Sequence, residues 1–159
     1  MKKRRFNLSD FDICDFKLIG LHSQHESHKI AYFINHALGT NFTRLKYDLE
    51  LLINGKSMHF PVFEFFSQEW DTKSYLICNK LELTEKVESS NLFETEDYIS
   101  HQFLLEDYKR VDYLLKIEDE LNIFDPKLIT DKLIKMHQIS MAYAIDTNAL
   151  KHPEHLILD

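Results

Sequence analysis

Val111-Asp112-Tyr113-Leu114-Leu115-Lys116-Ile117, then Asp125-Pro126, then Ile139-Ser140-Met141-Ala142-Tyr143-Ala144-Ile145 is the stretch that decides the fold. In its first segment Val111, Tyr113, Leu115 and Ile117 alternate with Asp112, Leu114 and Lys116, the period-two pattern of a strand. Asp125 suits an N-cap, and Pro126 suits the first helical position, where the missing amide proton has no partner to lose. Leu128, Ile129, Leu133 and Met136 then form an apolar stripe, and Lys132, Lys135 and His137 suit the negative end of the helix dipole. The last segment alternates again, with Ala142 and Ala144 leaving room for a helix to pack closely. The stretch reads as strand, helix, strand.

Working outward, Phe16 to His22 is a short apolar run that fits a buried strand. Ser23 and Glu26 have the spacing of a capping box. Ile30, Phe33, Ile34, Ala37 and Leu38 then repeat at helical spacing, and Gly39 sits where a left-handed C-terminal residue is wanted. Leu45, Tyr47, Leu49, Leu51 and Ile53 alternate up to Asn54-Gly55, the strongest short hairpin signal. A two-residue loop there sets Ile53 against Lys56, Leu51 against Met58, Leu49 against Phe60 and Tyr47 against Val62. Pro61 and the phase change to Phe63 and Phe65 indicate a bulge or an edge. Ser74 to Lys80 is apolar on both faces and belongs in the middle of a sheet. Residues 84–102, with Glu85, Glu88, Glu94, Glu96 and Asp97, read as an acidic connector with a helical turn near Asp97 to Phe103.

The expectation is a single α+β domain over residues 1–159. It has a mixed β-sheet, two strand–helix–strand units and helices on one face, ferredoxin-like with an added hairpin. Regulatory domains of the ACT type share that plan, which is an analogy of fold alone.

Composition narrows the function. The 159 residues are 44% hydrophobic and 13% aromatic, enough for one packed core, and only three glycines leave little material for phosphate-cradling loops. A net charge of -7 speaks against nucleic acid. Lys2-Lys3-Arg4-Arg5 then reads as part of a flexible basic arm over residues 1–10. No apolar leader follows Arg5, no run approaches a membrane span, and Cys14 and Cys78 form no Cys-x-x-Cys motif, so the chain reads as soluble and cytoplasmic.

Leu105-Glu106-Asp107-Tyr108-Lys109-Arg110-Val111-Asp112-Tyr113, continuing Leu-Leu-Lys-Ile, resembles the segment that names the IPExxxVDY family of small Bacteroidota proteins. The Val-Asp-Tyr half matches. The other half keeps an apolar residue and an acid, Leu105, Glu106 and Asp107, but lacks the family's proline before the strand. Ala31 to Asn35, Phe63 to Phe66 and Tyr75 to Lys80 extend the likeness over most of the chain. The resemblance implies a single-domain cytoplasmic protein and supplies no catalytic residue.

Candidate chemistry is sparse. His25, His28, Tyr32 and His36 share the helix face opposite the apolar one, and imidazoles at that spacing can take Zn²⁺. Without an acidic partner on the stripe the metal site is incomplete, and a solvated or partner-facing stripe is the plainer reading. His152 and His155 flank Pro153 in what reads as a turn. Asp10, Asp12 and Asp15 lack the glycine of a calcium loop. Asp112 and Lys116 read as a surface charge pair, or as a polar rim on a binding surface. No Gly-x-Ser-x-Gly, Walker loop, dinucleotide fingerprint or His-Glu-x-x-His occurs, so no catalytic residue and no cofactor is expected, and the reading leans away from an enzyme. The function expected is an interaction module binding another protein or a second copy of itself. Phe63, Phe66 and Trp70, with Asp112 and Tyr113, are the candidate contacts. The alternative is a regulatory domain holding a small ligand between helices and sheet.

Overall fold

The computed structural model describes residues 15–88 and 95–158. The basic arm over residues 1–10, Asp10, Asp12 and Cys14 lie outside the described residues. β1 (Phe16–His22) leads into α1 (Ser27–Leu38) and the short β2 (Thr43–Arg44). β3 (Leu49–Ile53) and β4 (Lys56–Phe60) form a hairpin, after which β5 (Val62–Ser67) and β6 (Thr72–Cys78) form another. β7 (Lys80–Glu88) pairs with β8 (Thr95–Phe103), and β9 (Tyr113–Glu118), α2 (Lys127–Leu133) and β10 (Met141–Ile145) complete the elements. The main sheet runs β10-β1-β9-β6-β5-β2, with β3–β4 and β7–β8 as separate two-stranded ribbons.

This is an α+β architecture, but the sheet is not mixed. Every strand pairing among the described residues is antiparallel. The strands on either side of each helix are not neighbours. β1 lies between β9 and β10, and β9, β6 and β5 separate β1 from β2.

Both faces of the sheet are covered, which is why its central strands read as continuous apolar runs. On one face Ile19, Leu21, Leu76, Leu115 and Ile117 pack against Ile30, Ala31 and Ile34 of α1 and Leu133 of α2. On the other, Leu18, Val62, Ile77 and Leu114 meet Leu49 and Phe60 of the hairpin, together with Leu104, Leu105, Leu150 and Leu156. Ala142, as its small size suggested, joins the helix side. Gly20 lets the far side pack closely, since a Cβ there would stand 3.1 Å from Ile145 Cδ1 and 3.2 Å from Val111 Cγ2.

Several local expectations hold. Gly39 ends α1 at φ 66°, and Asn54 and Gly55 both take positive φ, with Leu49, Leu51 and Ile53 opposite Phe60, Met58 and Lys56. Others are corrected. Ser23 forms no capping box: its hydroxyl donates to the Gln138 carbonyl and accepts from the His25 amide, and the helix begins only at Ser27. Tyr47 does not oppose Val62, because the chain bends away after Leu45, whose amide bonds the Val62 carbonyl at 2.8 Å. Among the described residues, 84–88 and 95–102 are strand and not a connector with a helical turn. The described part is the β7–β8 ribbon, in which Leu81, Leu83 and Tyr98 share a face and the charges spread along both strands. α2 is a short helix, and Leu128 is exposed instead of buried. Val111 precedes β9 and packs on the face opposite Tyr113.

Candidate functional site

The helix layer does not close over the end of the sheet formed by β5, β6 and β9. A hollow of about 330 Å³ remains between the layers. Its floor is Phe42, Phe65, Leu115 and Ile117, and its walls are Leu38 from the end of α1 and Leu128, Ile129 and Lys132 from α2. A wider hollow of about 540 Å³ adjoins it and shares Trp70, Thr72, Ile117 and Phe124. Together they make one open cleft.

Two turns build its mouth. In the β5–β6 turn Asp71 takes φ 47°, and the Trp70 amide donates to Ser67 Oγ, leaving the Trp70 side chain largely exposed. In the β9–α2 loop the organiser is Asp119. Its buried carboxylate accepts the Ile123 and Phe124 amides, each at 3.0 Å, and lies 3.8 Å from Lys17 Nζ. Asn122 takes φ 51° within this loop, which turns Leu121 and Ile123 outward at 79% and 72% exposure. Thr72 Oγ1 donates to the Glu118 carbonyl at 2.6 Å and joins the two turns. The floor is held similarly. Asn35 Oδ1 accepts the Phe42 amide at 2.7 Å, its Nδ2 donates to the Phe42 carbonyl, and the Phe42 and Phe65 rings stand 5.5 Å apart.

Of the expected contact residues, Trp70 alone lines this cleft. Phe66 is 47% exposed on β5 but faces away from Phe65 and lines neither hollow. Phe63 is not a surface residue: it is buried on the helix side, because β5 turns that face to the core. Tyr113 is buried too, and its hydroxyl donates to the His25 carbonyl. Burial, then the neighbouring Cys78 and Asp112, raise its pKa. Asp112 and Lys116 make no surface pair. Asp112 Oδ2 accepts the Ser23 amide at 2.9 Å, while Lys116 is buried and donates to the Leu156 carbonyl at 2.8 Å, its ammonium 4.9 Å from the Phe16 ring centroid.

The Val-Asp-Tyr segment is therefore a joint of the fold. Asn79, fully buried, completes it by donating to the Tyr108 and Val111 carbonyls and accepting the Leu105 amide.

His25, His28 and His36 are exposed, but His25 precedes α1, which begins at Ser27, so the three do not form one helix stripe and are not drawn together. His25 lies edge-on to Phe33 and His28 lies 3.5 Å from Glu26. Among the described residues, the grouping of His, Cys, Asp or Glu close enough to share an ion is His152, Glu154 and His155 in the tail. The tail packs on the sheet face away from α1, so the two histidine sets do not combine.

What sequence reasoning missed is the β9–α2 loop. Leu121, Ile123 and Phe124 crowd three large apolar side chains into a short connection, an economical signal of a surface hollow or contact. No protein-family model matches the chain, nor does any curated protein or solved structure.

Proposed function

We propose that the protein is a non-enzymatic interaction module, and that it takes an apolar segment of a partner protein into the cleft beside Trp70. One observation carries this reading: Trp70, Leu121, Ile123 and Leu128, between 62% and 79% exposed, surround a preformed hollow with an aromatic floor. Large apolar side chains grouped around a concavity are what binding hot spots use, whereas scattered ones need no explanation. The turns that hold the rim are tied by Asp119 and Thr72, so little ordering entropy is left to lose on binding. The test is affinity capture with the full chain followed by mass spectrometry, wild type against Trp70→Ala and Leu121→Ser. A reproducible partner lost in both variants supports the reading. A partner retained by both variants, or no reproducible partner of the wild type, sinks it.

The narrower half of the cleft favours a second reading, a regulatory domain for a small ligand. Its volume and its mix of aromatic and aliphatic lining with Thr40, Ser67, Thr72, Ser74 and Lys132 are those of a small-molecule site. A thermal-shift screen against amino acids and nucleotides separates the two, since a flat result counts against the ligand.

The finer fold reading belongs to the same proposal. The ferredoxin-like plan is supported by β9 lying between β1 and β6, a split arrangement of crossover strands, with β5 and β2 added outside β6. Membership of the IPExxxVDY family is supported by Val111, Asp112 and Tyr113. A cytoplasmic location is supported by the free thiol of Cys78, and no helix among the described residues is long and apolar enough to cross a membrane.

A further inference from the structure

The tail that covers the far face of the sheet carries His152-Pro153-Glu154-His155. Pro153–Leu156 form a short 3-10 turn that ends on the buried Leu156, and the buried Lys116 holds the Leu156 carbonyl. The backbone beneath these side chains is thus fixed to the core. Above it the His152 and His155 rings stack, with centroids 4.8 Å apart and planes 11° from parallel. One donor atom from each of His152, Glu154 and His155 lies within 4.8 Å of the other two.

The hydrogen bonds decide the tautomers. His155 Nδ1 lies 3.0 Å from the Leu104 carbonyl, which can only accept, so Nδ1 carries the proton. His152 Nδ1 lies 2.8 Å from Glu154 Oε1, a carboxylate oxygen that also accepts. In the neutral imidazoles both Nε2 atoms are left with a lone pair. A ring fixed through Nδ1–H by a carbonyl or a carboxylate is the support that metal-ligating histidines have.

We propose that His152 and His155 bind a divalent ion of the Zn²⁺ class through Nε2, with Glu154 orienting His152 and supplying negative charge. Two imidazoles suit Zn²⁺, Ni²⁺ or Cu²⁺, whereas Ca²⁺ and Mg²⁺ want several oxygen ligands. His152 is exposed, and its ring must turn out of the stacked arrangement about its Nδ1 contact with Glu154 for both nitrogens to reach the ~2.0–2.1 Å of a Zn–N bond. Water completes the shell. The site stands apart from the cleft and does not depend on the function proposed for it.

The test is calorimetric titration of ZnCl₂ into the full chain carrying no polyhistidine tag. One ion per chain is expected, with an affinity on the order of micromolar, as suits a site with only two protein nitrogens. Glu154→Gln should weaken binding about 10-fold or more, the loss usual for such a support. His155→Gln should do at least as much. His155 also holds Leu104, so His152→Gln, which disturbs no backbone contact, is the decisive variant. The triple His25→Gln, His28→Gln, His36→Gln change should leave the affinity unaltered. Electron paramagnetic resonance of the Cu²⁺-loaded wild type should show coupling to two imidazole nitrogens. Absence of saturable binding, binding that survives His152→Gln, or binding lost with the helix triple overturns the proposal.

Discussion

The carboxylate of Asp112 accepts the backbone amide of Ser23 at 2.9 Å across 89 positions of sequence. The bond fastens the start of β9 to the turn between β1 and α1. Two backbone bonds run beside it, from the Asp112 amide to the Leu21 carbonyl at 2.9 Å and from the Asn79 amide to the Asp112 carbonyl at 3.0 Å. Only the side-chain bond can be removed by substitution. Asp112→Ala should therefore lower unfolding free energy by about 1.5–3 kcal/mol, the worth of a hydrogen bond to a charged group. Asp112→Asn, which keeps an acceptor, should lose less. Urea titration of both variants measures the difference. Equal losses would mean that a neutral acceptor recovers nothing and that the bond depends on the charge of the carboxylate.

Gly20 and Gly55 test packing against backbone conformation. A methyl at Gly20 meets three side-chain atoms at 3.1–3.3 Å, so Gly20→Ala overpacks the junction of β1 and β10 and should cost about 1–3 kcal/mol. At Gly55 nothing lies within 4 Å, but φ is +77°, so Gly55→Ala acts through backbone strain alone. Its effect should be about 1 kcal/mol. Thermal unfolding ranks the two, and a Gly55 effect larger than that of Gly20 would contradict the packing account.

Burial raises the Cys78 thiol from an ordinary pKa of 9.0 to about 12, and burial first, then Glu118 and Glu64, raises Tyr75 from 10.0 to about 12. Both groups are neutral acids that the fold keeps protonated. Below about pH 9 their protonation is the same folded and unfolded, so the contribution is fully present. Between about 9 and 12 the unfolded chain releases protons that the folded chain retains, and stability falls as pH rises. Urea unfolding from pH 8 to 11 should show this decline. Cys78→Ala should shallow it, and an unchanged slope would remove Cys78 as a contributor.

The parts of the fold legible in the residues are those where one local rule operates alone. Asn54-Gly55 gave the hairpin register because positive φ at both positions admits few alternatives, and the apolar runs of β1 and β6 marked strands buried on two faces. The β7–β8 ribbon was lost because its acidic residues masked the alternation of Leu81, Leu83 and Val87. Ser23 has the spacing of a capping box but not its bonds, because its hydroxyl has a distant competitor, the Gln138 carbonyl, which no local pattern reveals. The cleft was legible only through Trp70. Its other rim residues become surface features only once Asp119 has folded the loop.

That loop gives the sharpest prediction for function. Asp119 is buried, and its two oxygens divide between the Ile123 and Phe124 amides, with Lys17 as counter-charge. Asp119→Ala leaves two amides without their acceptor and releases Leu121 and Ile123 from their outward positions. Stability should fall by about 1–3 kcal/mol, the worth of part-buried hydrogen bonds to a charged group. The larger consequence should fall on the cleft. Hydrogen exchange should accelerate at residues 120–124 while β1 and β6 remain protected, and any partner captured through Trp70 should be lost under conditions where the variant is still folded. Retention of that partner by folded Asp119→Ala would show that the rim of the cleft is not the contact.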